Sequence, residues 1–468
     1  MDLTFLGAAQ TVTGSKHLVT TGDDTRLLLD CGLFQGHRNE SIARNSTLGV
    51  DPASLDGVIL SHAHIDHSGA LPILVKRGYR GPIYATPATR DLCAAMLMDA
   101  AFLQAADARY VNHRIEREGV AMDKVEPLFD EHDVLRTLEQ IMSIPYRHRH
   151  RVGRDATVTF LDAGHVLGSA ITVLDIDEAG DTRRLVYTGD LGRKRIPILR
   201  DPELASGAHT LLIESTYGDR THPPYEDMEE ALAKVVTRVH ARGGKIVIPS
   251  FALERAQELV FSLKQLRKKG RLPKIPVYVD SPLTVQITDV FKLHPECFDD
   301  ETRALLQGHD SPFDFEGLRY VSSTEDSMAL DDAPGPAIVI SASGMCEGGR
   351  VLHHLRRTIE DERNCVLIVG FQAEHTLGRR IAERRPKVKI FGVERDLRAE
   401  VQVLEGFSAH ADRTELVEYV EETRRRGPLR DVFLVHGEPA AQRVFKGELE
   451  SRGFPSVRVP ARGDEVRL

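Results

Sequence analysis

Apolar residues recur along the chain in short blocks. LTFLG (Leu3 to Gly7), KHLVT (Lys16 to Thr20) and RLLLDCG (Arg26 to Gly32) predict three strands in quick succession. GVILSHAH reads as a strand that stops abruptly at a polar turn, and IYATP, TVTFLDAGH, AITVLDID and RLVYTGDLG are further strands. Between them, SGALPILVKRG, TRDLCAAMLMDAAFLQAADARYV and DEHDVLRTLEQIM carry helical spacing. The last opens on acidic residues, as the helix dipole prefers.

After about residue 205 the unit becomes strand, loop, helix: KIVIPS before FALERAQELVFSLKQLRKKG, PVYVDSP before LTVQITDVFKLH, AIVISASG before GGRVLHHLRRTIE. That grammar predicts a parallel α/β sheet with crossover helices. The stretch from His309 to Pro336 reads as a loop-rich connector, and from about Lys387 the pattern changes again to KVKIFGV, VFLVHGE and SVRVPARGDEVRL. Neither an internal repeat nor a low-complexity tract interrupts it.

At 468 residues the chain is long enough for roughly three domains of ordinary size. Its 61 basic and 70 acidic side chains leave a net charge of −9, which argues against a protein that coats nucleic acid by global positive charge. A nucleic-acid enzyme with basic residues gathered locally is compatible with it. No run approaches the roughly 18 apolar residues of a membrane span, and MDLTFLGAAQTVTG lacks the features of a signal peptide. The expectation is a cytoplasmic protein with no membrane partner. Five scattered cysteines without a CxxC oppose a disulfide framework and a thiolate zinc knuckle.

Histidine carries the chemistry. SHAHIDHSGALP packs His62, His64, Asp66 and His67 into six residues, with 62, 64 and 66 alternating at the tip of a strand and His67 opening a helix. Imidazole nitrogens and carboxylate oxygens suit zinc, and an apolar core cannot satisfy four of them. Further candidates end later strands: His165 in FLDAGHVLG and Asp190 in VYTGDLG, whose carboxylate can bridge two metals. Each alone reads more simply as a hydrogen-bonded core histidine or a turn-capping aspartate; their joint occurrence in this order reverses that.

This set resembles the metallo-β-lactamase superfamily. The resemblance implies two Zn²⁺ ions, one held by His62, His64 and His165, the other by Asp66, His67 and a further ligand, with Asp190 between them. Asp30 in LLLDCG matches the family's upstream aspartate and is expected to orient a ligand. Three later segments, LLIESTYGDR (Glu214), EGFSAHADRTELV (His410) and VFLVHGEPAA (His436), resemble in order the motifs of the β-CASP branch, as do GFQAEHTLGRR and ISASGMCEGGR. That branch processes nucleic acids and includes the endonuclease subunit of the cleavage and polyadenylation machinery. The likeness spans nearly the whole chain and departs at His375, where relatives usually carry Gly.

The resemblance implies an α/β architecture: an αββα sandwich from 1–205 and 394–468, interrupted by a parallel α/β β-CASP domain at 206–393. It implies a zinc-dependent ribonuclease, with endonucleolytic cutting expected over 5′-to-3′ exonucleolytic trimming. Asp66 would orient an activated hydroxide, His436 would complete the second zinc site, and His410, hydrogen-bonded to Glu214, would protonate the leaving oxygen or stabilise charge on the phosphorus centre. Ser343 and Gly344 in a strand-to-helix turn, and Arg379, are the candidate RNA contacts. Basic clusters at 147–151, 379–380 and 384–389 are further candidates, whereas 424–426 reads more simply as a solvated helix face. A small-molecule hydrolase would usually lack the insertion, and a silent scaffold should have lost ligands. A homo-oligomer stays open.

Overall fold

The computed structural model describes the whole chain except residues 37, 119–123, 179, 371, 374 and 405. Two compact units emerge: Met1–Lys194 with Asp201–Thr221 and His410–Leu468, and Arg195–Arg200 with His222–Ala409.

The first unit holds two seven-stranded sheets. One runs in the order Glu465–Arg467, Asp2–Gly7, Lys16–Thr20, Arg26–Leu29, Gly57–Ile59, Ile83–Ala85, Ile141–Ser143. The other runs Val457–Arg458, Asp431–Val435, Thr210–Glu214, Asp181–Tyr187, Ala170–Glu178, Ala156–Asp162, Arg149–Arg151. Alternation along the strands builds a shared core. Leu3, Phe5, Leu27, Leu29 and Ile59 of the first sheet pack with Phe160, Leu174, Leu185, Tyr187, Leu212 and Phe433 of the second. The intervening residues face helices. Ile171, Val186, Ile213 and Leu434 pack with Leu416 and Val420 of helix Arg413–Arg425 and with Phe445 and Leu449 of helix Pro439–Ser451. Leu28 and Val58, fully buried, lie on the opposite face from Leu27, Leu29 and Ile59. The layers are those of the expected αββα sandwich.

The second unit is a six-stranded parallel sheet ordered Leu318–Val321, Val277–Asp280, Ile338–Ser341, Ile246–Pro249, Cys365–Ile368, Glu400–Val403. A separate hairpin joins Lys387–Ile390 to Val393–Asp396. At the end of one strand the buried Asp280 carboxylate accepts hydrogen bonds from Ser327 Oγ (2.6 Å), Arg350 Nη1 (2.7 Å) and His354 Nε2 (2.6 Å). Burial opposes its charge, but these donors outweigh that and hold its pKa below the usual carboxylate value.

The structure redraws several sequence boundaries. Thr210–Glu214, assigned to the insertion by a boundary at 206, lies between Asp181–Tyr187 and Asp431–Val435 in the sandwich. Glu400–Val403, assigned to the sandwich by a boundary at 394, pairs with Cys365–Ile368 as an edge strand of the second unit. The connector from His309 to Pro336 contains an edge strand, Leu318–Val321, and a helix, Thr324–Asp332, which Ser323 caps by accepting from Asp326 N. Strand pairing decided these cases, and segments of four or five residues leave little periodicity to read.

Candidate metal centre

Strand Gly57–Ile59 delivers the histidine motif, but the strand ends before it. Leu60 N donates to Tyr84 O and Ser61 N to Asp30 Oδ1, after which His62 and His64 lie in backbone that is neither strand nor helix. Helix Ile65–Ser68 then starts, so Asp66 lies in a helical turn and not on the alternation expected for 62, 64 and 66. This bend sorts the motif into two groups. His62 and His64 join His165 and Asp190; Asp66 and His67 join His436.

Close backbone packing holds the bend. Cys31 N donates to His67 O and Leu33 N to Ile65 O, and a Cβ at Gly32 would lie 1.6 Å from the Asp66 carbonyl oxygen. Only glycine allows this approach. Gly192 does the same beside His165, where a Cβ would lie 1.8 Å from Gly164 O.

In the first group, His62 Nε2 is 3.1 Å from His64 Nδ1, which is 3.4 Å from His165 Nε2. Asp190 Oδ2 lies 3.5 Å from His62 Nε2 and 3.6 Å from His165 Nε2. In the second group, His436 Nε2 is 3.2 Å from His67 Nε2 and 3.4 Å from Asp66 Oδ2. Asp190 Oδ1 is 3.3 Å from His67 Nε2. Two nitrogens each about 2.0–2.1 Å from a tetrahedral zinc ion are about 3.3 Å apart, so the donor spacing is that of two tetrahedral edges sets sharing one carboxylate. The residues present fit a pair of cations, with Asp190 directing one oxygen at each group.

Electrostatics agree. Burial pushes His62 well below its ordinary pKa and His64 to about 4, which keeps both rings neutral as ligands must be. Burial also opposes charge on His67, but the Asp190 and Asp30 carboxylates outweigh it and raise that group well above its ordinary value. A cation in this group therefore competes with a proton on His67. Burial likewise opposes charge on Asp190, but the histidines around it hold it well below the carboxylate range.

Asp30 is fully buried and accepts from Ser61 N (2.7 Å), Ser61 Oγ (2.8 Å), Tyr187 Oη (2.6 Å) and His67 Nδ1 (2.7 Å). It thereby fixes the His67 tautomer with Nε2 presented to the cluster. Sequence reading missed Tyr187 and Ser61 here, and also Thr216, whose Oγ1 is 3.2 Å from His436 Nδ1. Their signal was adjacency: each stands within three residues of a named candidate.

Glu214 ends a strand with its side chain buried. Its Oε1 accepts from Leu191 N (2.7 Å) and stands 3.0 Å from His410 Nδ1, with Oε2 at 3.2 Å. His410 bridges to Gly192 and lies two residues before Asp412, which caps helix Arg413–Arg425 in a reciprocal box with Glu415. Its Nδ1 is 4.0 Å from Asp190 Oδ2. Burial opposes its charge, but Glu214, with Asp190 and Asp66, raises its pKa to about 9. His410 and Asp66 each expose 21% of their side chains while His62, His67 and Asp190 are sealed, so those two mark the open side of the cluster.

All nine of these residues, with Asp30, belong to the first unit. Ser343, Gly344 and Arg379 belong to the second and are not part of the cluster. Ser343 Oγ accepts from Glu347 N, Gly344 O accepts from Gln372 Nε2, and Arg379 Nε pairs with Glu383 at 2.7 Å. Several other basic candidates are also engaged: Arg147 with Glu203, Arg149 with Asp175, Lys387 with Glu394, while Arg424 covers the Phe454 ring. His375 is exposed in left-handed backbone (φ 69°), a conformation that favours glycine. No helix among the described residues is long and apolar enough to cross a membrane.

Comparison with known proteins places this geometry in a family. Residues 14–239 match the metallo-beta-lactamase superfamily, 256–381 the Beta-Casp domain, and 394–460 the Zn-dependent metallo-hydrolase RNA specificity domain. The chain is 41% identical over 439 residues to Ribonuclease TTHA0252 of Thermus thermophilus, covering 94% of this chain and 93% of that one. It is 33% identical over 450 residues to Transcription termination factor FttA of Methanosarcina mazei (94% and 67% covered) and 32% identical over 477 residues to FttA of Methanocaldococcus jannaschii (100% and 71%). With its paired donor groups and these matches along its length, the chain belongs to the β-CASP branch of the metallo-β-lactamase superfamily, a family of metal-dependent hydrolases.

Proposed function

We infer that this chain, a metal-dependent RNA hydrolase by its family, holds two zinc ions and cuts RNA internally at phosphodiester bonds. The observation that carries the reading is the shared carboxylate. Asp190 turns Oδ2 toward His62 and His165 and Oδ1 toward His67, so seven side chains form two donor groups around one bridge.

When bound, two zinc ions supply Lewis acidity, lowering the pKa of solvent and offsetting charge on a phosphate. The chain's own residues do the rest. His62, His64 and His165 would hold one ion; Asp66, His67 and His436 the other; Asp190 both. Asp66, on the open side, accepts a proton-bearing nucleophile and aligns it. Asp30 keeps His67 in its ligating tautomer. Glu214 holds His410 by Nδ1 and favours its charged form, so His410 delivers a proton to the departing sugar oxygen. Ser343, Gly344 and Arg379, which belong to the second unit, would contact RNA; Arg379 must exchange Glu383 for a phosphate to do so.

The test is incubation of the purified chain with RNA and DNA labelled at either end, with and without chelator, alongside metal analysis by mass spectrometry. Internal fragments from both labels, lost with chelator, and about two zinc ions per chain are expected. A stepwise ladder from one end would replace the endonucleolytic reading by trimming. Intact RNA with a zinc-loaded chain would overturn the function.

A further inference from the structure

A second polar concavity opens in the first unit beside the loop joining its first two strands. Gly7, Thr13, Lys16, Phe34, Arg44 and Arg462 line a small recess of about 20 Å³ that is partly open to solvent. Ala8 (φ 46°), Gln10 (φ 58°) and Gly14 (φ 75°) are left-handed and curl the loop around it.

Three cations line it, and among the described residues only Arg44 is paired with a carboxylate. Lys16 lies at the start of its strand and is only 6% exposed. Among the described residues its charged neighbourhood is Cys31 and Arg462, with no acid. Cys31 does not neutralise it: burial pushes that thiol up to about 12, so it stays protonated. Arg462 donates Nε to Leu6 O at 3.2 Å. Arg44 alone is paired, with Glu40 at 2.6 Å, and stacks on Phe34 at 4.2 Å. Burying an ammonium without a counter-charge costs several kcal/mol, and a lysine more often extends its head to water. A recess partly open to solvent and lined by this lysine and two arginines is where an anion would offset that cost.

We propose that this concavity binds a phosphate-type oxyanion, with Lys16 as its buried ligand and Arg462 and Arg44 at its rim. The loop also borders the metal cluster: Ala8 O accepts from His436 N (2.8 Å) and Ser15 N donates to Asp66 O (2.8 Å). A backbone phosphate of the RNA is therefore the favoured occupant, a choice that rests on the ribonuclease reading; the anion site does not. Burial lowers the Lys16 pKa, and a bound anion would oppose that shift.

Two arms test it. Crystals soaked in selenate should show an anomalous peak against Lys16, absent in Lys16→Met, a side chain that suits a buried position. In steady-state RNA cleavage, Lys16→Met should raise KM about tenfold with kcat within about twofold, and lower the slope of log KM against log salt by about 0.7, the loss of one single-strand phosphate contact. Arg462→Gln, at an exposed position, should move KM and slope the same way, so the proposal survives should Lys16→Met fail to fold. Selenate bound with KM and slope unchanged in both variants overturns RNA as the occupant and leaves free phosphate. No selenate peak with no change in KM overturns the site. If the wild-type chain cuts no RNA, the function falls, and the selenate arm decides the site alone.

Discussion

At the scale of single residues, the cluster separates ligands from groups that act through them. His410→Ala should retain two zinc ions and the native fold yet lose about 10²–10⁴ of its cleavage rate, because Glu214 and not a ligand holds the ring. A variant cutting at the native rate would end the proton-delivery role. Asp66→Ala should drop the metal content from two ions toward one by mass spectrometry; unchanged stoichiometry would refute its place in the second group. Asp30→Asn removes the charge behind His67 and should weaken zinc binding about 10- to 100-fold in a competition titration with a chelating dye. His62, His64, His165 and Asp190 were legible as candidates because chemically expensive residues recur at strand ends, whereas His436 was named through its resemblance to a family motif. Tyr187 and Lys16 were not: a tyrosine or a lysine within a strand has an ordinary reading until its surroundings are known.

At the scale of elements, local backbone packing positions the chemistry. The four-residue helix Ile65–Ser68 is too short to persist by propensity, and its place is set by the Asp30–Leu33 segment packed against it. Gly32→Ala would drive a methyl group into the Asp66 carbonyl, so the helix must shift. The expected outcome is a lower melting temperature together with reduced zinc content; a variant with both unchanged would show that the approach is not required. The strands Lys16–Thr20 and Asp2–Gly7 fell within one residue of the bounds expected from the sequence. Leu318–Val321 did not, because a four-residue edge strand is defined by its neighbour, Val277–Asp280, more than by its own pattern.

For the whole molecule, stability against pH depends on buried carboxylates such as Asp280. Its folded pKa lies below the unfolded value, so its charged network stabilises the protein above that unfolded value and the contribution fades as pH falls through the folded one. Asp280→Asn should therefore lower the melting temperature near neutrality, and the gap to the wild type should narrow below about pH 4. A gap constant from pH 7 to 3 would exclude the network as its source. Residue order alone was enough for the alternating sandwich strands, the parallel α/β run and the kinds of side chain available for metal, because periodicity and ligand chemistry are local properties. It was not enough for which donors face one another: His62 and Asp66 are four positions apart yet fall in different groups, while His67 and His436 are neighbours at 3.2 Å across most of the chain. Folding made those choices, since the backbone bend at Ile65 and the parallel pairing of Thr210–Glu214 with Asp431–Val435 bring side chains together at distances that no spacing along a chain encodes.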